Sequence, residues 1–151
     1  MKKFIIVWLA VGIVLSCAIL SYAGGSKEKD AQEMVKKAIA YIKEVGREKA
    51  FSEISNKKGR FTTEDTYVFV NKLDGTVLAH GQFPQWVGKN HMDIKDDNQT
   101  KFVKLMIDLV KKNDSGWVSY DFMNPVTKNV QKKHTYVEKY KDVVVGCGYY
   151  Q

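Results

Sequence analysis

The segment VVVGCGYY, residues 143–150, is a run of apolar and aromatic residues with two glycines among them. Its length is typical of a β-strand, and it does not alternate between apolar and polar residues. The segment TYVFVN, residues 66–71, consists mainly of aromatic and β-branched residues, and it too does not alternate between apolar and polar residues. Strands of this kind are typical of a sheet that is covered on both faces. We therefore expect helices on one face of the sheet and a segment of loop and helix on the other.

The remaining strands are recognised from the turn signals that separate β-branched and aromatic runs. Asp74-Gly75 is a tight hairpin signal after the strand at 66–71, and Pro125 stops the strand that begins at Trp117. The five strands are predicted at 66–71, 76–80, 117–123, 132–140 and 143–150. Because hairpins join antiparallel strands, we expect a mostly antiparallel sheet.

Three amphipathic segments predict helices. The first, 30–45, carries apolar residues at helical intervals, and it begins at Asp30 with Glu33 in capping-box spacing. The second lies at 47–55, and the third, 100–112, falls between strands 2 and 3. The predicted fold is therefore α+β, with a long N-terminal helix laid across a five-stranded sheet and a further helix on the chain between strands 2 and 3.

The first 23 residues have the three parts of a secretory signal peptide. Two lysines precede an uncharged apolar run at 4–20, and small residues follow at the positions that a signal peptidase reads. Cleavage after Ala23 would leave a short leader at 24–29 and a single domain at 30–151. The domain is then expected to be periplasmic or secreted.

Two alternatives stay open for this N-terminal segment. Residues 14–17, VLSC, loosely resemble a lipoprotein box, which would lipidate Cys17. The apolar run at 4–20 is also only slightly shorter than the ~20 residues of a membrane-spanning helix. In both cases the domain would still lie outside the cytoplasm.

Composition narrows the classes of function. The net charge is +7, but no dense basic run is interleaved with aromatic residues, so a nucleic-acid partner is not expected. Three histidines without ligand spacing predict neither a metal site nor a cofactor, and Asp93, Asp96 and Asp97 are expected to cap the third helix. Catalytic motifs are lacking, so we do not expect an enzyme. Cys147 is expected to be a small buried hydrophobe.

Seven segments follow one another in a characteristic order. They are YVFVNKLDGTVLAHG (67–81), VGKN (87–90), FVKLMIDLVKK (102–112), SGWVSY (115–120), NPVTK (124–128), TYVEKY (135–140) and VVVGCGYY (143–150). Together they resemble the single Cache domain family, small extracytoplasmic sensor domains related to PAS folds. The resemblance implies a pocket against the sheet that binds small organic ligands, often short carboxylates.

The resemblance also bears on partners. In many relatives the domain precedes a signalling helix and a cytoplasmic kinase or chemotaxis module. This sequence ends at Gln151, directly after the last predicted strand, and so resembles a stand-alone exported form. We accordingly expect a signal to pass through a partner, such as a membrane receptor or a kinase.

Six residues are candidates for ligand binding: Phe69, His80, Trp86, Tyr120, Lys133 and Tyr136. Lys133 is the candidate cation, because related domains carry a lysine ahead of the tyrosine-valine pair and a carboxylate favours a charge-assisted donor. Tyr120, on the strand face of Val118 and Phe122, would supply a hydroxyl. His80 would donate an N–H, or pair with an anion when protonated near pH 6. Trp86 or Tyr136 would close the site, and Phe69 would shape it.

Each polar candidate also has a purely structural interpretation. Lys133 is then a solvated lysine like Lys132, Tyr120 a core residue with its hydroxyl at the rim, and His80 a ring that the backbone satisfies. The alternative function follows from these interpretations. It is an accessory subunit that binds another protein and whose pocket is vestigial.

Overall fold

The segment VVVGCGYY forms the central strand of the sheet. The computed structural model describes residues 26–151. Its strands are β1 (Val68–Lys72), β2 (Val77–His80), β3 (Ser115–Met123), β4 (Val130–Tyr140) and β5 (Val143–Tyr150). They lie in the order β2-β1-β5-β4-β3, and every neighbouring pair is antiparallel. The predicted five-stranded antiparallel sheet is confirmed.

Helices cover both faces of this sheet. α1 (Lys27–Val45) and α2 (Arg47–Ile54) pack on one face. α3 (Phe102–Asn113) packs on the other face, and the long loop before it contains one 3-10 turn, Pro84–Trp86. The predicted α+β arrangement, with a long first helix and a further helix between the second and third strands, is confirmed.

Strand β5 is buried on both faces, which explains its lack of alternation. Val143, Val145 and Cys147 belong to the core on the α1 side, whereas Val144 belongs to the core on the α3 side. Cys147 is a fully buried free thiol, as predicted. Because side chains alternate along a strand, this central strand links the two cores.

The first helix begins earlier than predicted. Its N-cap is Ser26, whose hydroxyl oxygen accepts a hydrogen bond from the backbone N–H of Lys29 at 3.3 Å. The predicted leader at 24–29 is therefore helical from Lys27 onward. Asp30 lies inside the helix, in the first turn, where the helix dipole stabilises a negatively charged carboxylate.

Predictions for the extreme N-terminus lie outside the described residues. They concern the signal peptide at 1–23, cleavage after Ala23, an anchor at 4–20 and lipidation at Cys17. Within residues 26–151, no helix combines the length and the apolar character that crossing a membrane requires.

The β3–β4 hairpin is longer than predicted. β3 begins at Ser115 and β4 at Val130, so each strand starts two residues before the predicted position. Asp114 adopts the left-handed conformation, with φ of 60°, and turns the chain directly from α3 into β3. Met123 pairs with Val130 at the far end of the hairpin.

The aspartates ahead of α3 do not cap it, contrary to prediction. The N-cap is Lys101, which makes no side-chain capping bond. Asp96 instead accepts the backbone N–H of Thr100 at 2.7 Å and that of Asp121 at 3.0 Å. This carboxylate therefore ties the long loop to the edge strand β3.

Two glycines of β5 let large side chains lie close to the sheet. A Cβ at Gly146 would lie 2.3 Å from Cζ of Phe69. A Cβ at Gly148 would lie 2.4 Å from Oγ1 of Thr135 and 2.8 Å from Cε of Lys133. Both contacts are far shorter than van der Waals separations. Phe69 and Lys133 thus occupy space that side chains on β5 would otherwise fill.

Replacing Gly148 with alanine is expected to destabilise the protein by ~1–3 kcal/mol through overpacking. The new methyl group would also lie 2.8 Å from the backbone oxygen of His134, which the sheet holds in place. Gly116→Ala is the matched control, since its nearest contacts are the flexible side-chain atoms of Leu109. Urea unfolding measures both variants, and an equal loss of stability in the two would contradict this account.

Candidate functional site

A small cavity lies between the sheet and the α3 side of the fold, with a volume of about 30 Å³. Four of the predicted residues line it: Phe69, His80, Trp86 and Tyr120. A cavity of this size accommodates roughly one water molecule, whereas sites for larger ligands span hundreds of cubic ångströms. The cavity is therefore nearly closed in this conformation.

Lys133 lies directly behind the wall of this cavity. The residue is 1% exposed, and its ammonium lies 3.8 Å from the ring centroid of Tyr67 and 5.6 Å from that of Phe122. Both of these rings line the cavity. The ammonium also lies 4.7 Å from the ring centroid of Tyr150 and donates a hydrogen bond to its hydroxyl at 3.3 Å. Lys133 is thus inside an aromatic cage.

The charge of Lys133 has no carboxylate partner within residues 26–151. Burial lowers the pKa of this amine from 10.5 to about 7, because desolvation disfavours the charged form. Lys132, by contrast, lies at the surface and pairs with Asp121 at 2.5 Å. Of the two neighbouring lysines, Lys133 is therefore the one that points inward.

His80 presents a neutral ring with a defined tautomer. Its Nδ1 accepts the backbone N–H groups of Gln82 at 3.3 Å and Phe83 at 3.0 Å, so the ring proton resides on Nε2. Burial, with the nearby charge of Lys133, lowers the pKa of this imidazole to about 3. With so low a pKa the ring is neutral near pH 6, so of the two roles expected for His80 the neutral N–H donor is favoured. Within the described chain, Nε2 makes no hydrogen bond.

Tyr120 packs in the core and keeps a proton to donate. Its ring stacks on Phe102 with centroids 4.3 Å apart and an interplanar angle of 6°. Its hydroxyl accepts a hydrogen bond from Oγ1 of Thr135 at 3.1 Å, which leaves its own O–H for another acceptor. Burial raises the pKa of this phenol, so the proton is retained. The residue is both a core aromatic and a part of the cavity wall.

Trp86 and Phe69 form opposite parts of the wall. Trp86, at the end of the 3-10 turn, stacks on Phe83 with centroids 4.6 Å apart and meets His91 edge-on at the same distance. It is half-buried and lies on the solvent side. Phe69 lies against the sheet above Gly146, with its ring stacked 6.0 Å from that of His80.

Tyr136 does not lie in this site. Lys133 and Thr135 face the cavity side of β4, and Tyr136, one residue further, faces α1 because side chains alternate along a strand. It packs against Trp117 with centroids 5.4 Å apart, and its hydroxyl donates to Glu138 at 3.2 Å. The prediction that it closes the ligand site is wrong for this reason.

Asn71 and His91 were not among the candidates chosen from the sequence, and both line the cavity. Asn71 is 5% exposed, and its Oδ1 has no hydrogen-bond partner in the described part of the chain. The available signal was the alternation of Tyr67, Phe69 and Asn71, which places all three on one strand face.

The cavity therefore combines aromatic walls with convergent polar groups. His80 and Tyr120 offer N–H and O–H donors, and Lys133 offers an ammonium behind the rings of Tyr67 and Phe122. Such a set suits an anion with a short apolar part, because the donors meet the charge and the rings meet the carbon atoms.

The fold is similar to those of solved bacterial sensor domains. A methyl-accepting chemotaxis protein from Vibrio parahaemolyticus RIMD 2210633 matches with a TM-score of 0.72 and 26% identity, covering 82% of this chain and 87% of that chain. A Cache chemosensory domain, solved to explain its carboxylic acid recognition, matches with a TM-score of 0.69 and 24% identity, covering 82% and 92%. A periplasmic sensor domain of a chemotaxis protein has a TM-score of 0.64 and 23% identity, with 81% and 88% covered.

Comparison with curated proteins finds no match. The sequence matches the single Cache domain 2 family over residues 7–151, a range that contains every described helix and strand. The resemblance inferred from the sequence is thereby confirmed. This chain belongs to the single Cache domain 2 family, whose members are extracytoplasmic sensor domains.

Proposed function

We propose that this protein is an extracytoplasmic binding domain that holds a small carboxylate at Lys133. One observation carries the proposal: the ammonium of Lys133 is fully buried and has no carboxylate partner in residues 26–151. Buried charges in proteins are ordinarily paired, so a buried ammonium without a carboxylate partner, beside a cavity, supports an anionic ligand.

The energetics favour an anionic ligand. Burial of an ion costs several kcal/mol even after the protein relaxes. Cation–π contacts such as those with Tyr67 and Tyr150 return ~0.5–2 kcal/mol each, and the hydrogen bond to the Tyr150 hydroxyl returns ~1.5–3 kcal/mol. These contacts offset the cost in part. A carboxylate ligand would supply the counter-charge that residues 26–151 do not place within ion-pair distance of Lys133.

The neighbouring groups fit the same ligand. His80 donates from Nε2 and Tyr120 from its hydroxyl, and neither loses its proton at neutral pH. The rings of Phe69, Trp86 and Phe122 would contact the carbon chain. Because the cavity is only about 30 Å³ in volume, we infer a short-chain carboxylate whose entry moves these rings apart.

The solved Cache chemosensory domain that recognises a carboxylic acid is consistent with this proposal, although the likeness concerns the fold. We further propose that the loaded domain reports to a membrane receptor or a kinase, as chemotaxis receptors contain domains of this fold. Cross-linking in membranes, with and without a carboxylate, would detect such a partner. No difference between the two conditions would contradict this step.

A second function has one observation in its favour. The small cavity volume fits an accessory subunit that binds another protein and has a vestigial pocket. In such a pocket the polar groups are expected to pair with one another. Asn71, with its unpartnered Oδ1, and Lys133, with its unpaired charge, count against this alternative.

Lys133→Met is expected to weaken carboxylate binding while preserving the fold. Methionine roughly keeps the side-chain length, and replacing a buried charge by an apolar group is neutral or stabilising. The melting temperature without ligand should be unchanged or higher, and at equal ligand concentration acetate, propionate or pyruvate should raise it less than in the wild type. Loss of a charge-assisted hydrogen bond, ~1.5–3 kcal/mol, lowers affinity about 10- to 150-fold in calorimetry.

Lys132→Met is the matched control, since its ammonium lies at the surface in an ion pair with Asp121. It should keep both the melting shift and the affinity. A carboxylate affinity in Lys133→Met that equals the wild-type value would place the anion elsewhere. If no carboxylate, amino acid or amine shifts the wild-type transition, the vestigial pocket is favoured.

The affinity for carboxylates should fall as pH rises above about 7, the pKa of Lys133 in the free protein. The anion binds the ammonium form, so each further pH unit should weaken binding about tenfold until the affinity reaches that of Lys133→Met. Calorimetry from pH 6 to pH 9 measures this dependence. A wild-type affinity that is flat over this range would show that Lys133 is not the cation.

The stability of the ligand-free protein should rise with pH in the same region. The pKa of Lys133 is about 7 in the folded protein and 10.5 for an unperturbed lysine, so between these pH values the unfolded chain holds a proton that the folded protein has released. The destabilising effect of the buried charge is complete below pH 7 and is relieved towards pH 10.5. Urea unfolding of Lys133→Met should lack this rise, and an equal rise in the two proteins would contradict the assignment.

A further inference from the structure

The end of the β3–β4 hairpin presents an apolar surface to solvent. We call residues 123–130 the hairpin tip. Its Met123, Val126 and Val130 are 51%, 52% and 53% exposed. They make up three of the five large hydrophobic residues that are exposed in the described part of the chain. Such clustering within eight residues indicates a contact surface rather than scattered exposure.

The hairpin tip is held in one conformation by hydrogen bonds. The side-chain oxygen of Asn124, a buried residue, accepts the backbone N–H groups of Val126 at 2.8 Å and Thr127 at 3.3 Å. The hydroxyl of Tyr150 donates to the backbone oxygen of Met123 at 3.0 Å. The apolar side chains are therefore presented by an ordered turn.

The charge around the tip is basic. No acidic residue occurs in the sequence between Asp121 and Glu138. Lys128 lies exposed within the tip, and Lys132 follows on β4. Because Lys132 pairs with Asp121, Lys128 is the cation that the tip itself adds.

The tip lies at the end of the domain where α1 begins. The ammonium of Lys27 donates to the backbone oxygen of Tyr150 at 2.9 Å, and the hydroxyl of that same tyrosine contacts Met123. Tyr150, the last residue of β5, pairs with Lys133 on β4. Val130 lies three residues before Lys133, so the tip extends roughly 10 Å beyond the end of β5. In the sequence, the apolar run at 4–20 precedes α1, which begins at Lys27.

We propose that the hairpin tip is a membrane-contact site. Met123, Val126 and Val130 enter the interfacial region of an anionic bilayer, and Lys128 remains among the headgroups. Apolar side chains beside a lysine, with no acidic residue within the tip itself, are the complement of such a surface. A membrane contact at the hairpin tip is separate from ligand binding. It would determine which end of the domain rests on the membrane, whether or not the apolar run at 4–20 is retained.

The test uses protein expressed from the full sequence, with a tryptophan reporter at one exposed position. Val126→Trp places the reporter in the tip, and Leu105→Trp is the matched control, because Leu105 is 45% exposed on α3. Each variant is added to, or reconstituted in, phosphatidylglycerol vesicles that contain brominated lipids. Subtracting wild-type emission removes the signal of the native tryptophans. We expect the Val126→Trp difference spectrum to shift to shorter wavelength and lose intensity, and that of Leu105→Trp to do neither.

Further variants separate the possible outcomes. Lys128→Glu in the Val126→Trp background should reduce the quenching in phosphatidylglycerol vesicles, and Val130→Trp replaces Val126→Trp if the latter does not fold. Equal quenching of the tip and control reporters, or none at the tip, would overturn the proposal. A Val126→Trp spectrum already shifted before vesicles are added would also overturn it, because a protein segment or a second copy then covers the tip.

Discussion

Strand β5 lies at the centre of the sheet, and it must be buried on both faces while leaving space on one of them. On the α1 side this strand presents valines and Cys147, which fill the core in the usual way. On the cavity side two of its positions are glycines, and the ring of Phe69 and the stem of Lys133 take the space that side chains would occupy. The close approach of these two side chains to the backbone of β5 sets the position of the cavity and of its cation. A central strand with large residues on both faces would support a similar sheet, but it would displace both groups.

Within this arrangement, one buried charge influences the chemistry of its surroundings. Aromatic rings and a tyrosine hydroxyl surround the ammonium of Lys133, whose pKa falls to about 7 because water is excluded. The same burial, and the charge of Lys133, keep His80 neutral. The site therefore contains one group that titrates near neutrality, beside donors that retain their protons. An anion is the species that such a set of groups stabilises best.

Much of the fold was predictable because it depends on local patterns. Period-two alternation correctly placed Val118, Tyr120 and Phe122 on one face of β3, and turn signals correctly separated the five strands. The same alternation on β4 excludes Tyr136 from the cavity once Lys133 is placed there, so that mistake was avoidable. The start of α1 was misplaced because Ser26 and Asp30 are both good N-caps. Sequence pattern does not indicate which of the two leaves its hydroxyl or carboxylate free to accept the capping bond.

The amino-acid sequence by itself determined the family, the five strands and the three helices. Of its six candidate residues, four line the cavity and Lys133 lies behind the cavity wall. The strands and helices depend on periodicity and turn chemistry, which act between residues that are close along the chain, whereas the family, and Lys133 as the cation, were inferred from a resemblance to known domains. The tertiary structure alone decided that Lys133 has no carboxylate partner within residues 26–151, that His80 stays neutral and that the cavity is nearly closed. Each of these depends on which residues from distant strands exclude water or supply a partner, and that is a property of packing in three dimensions.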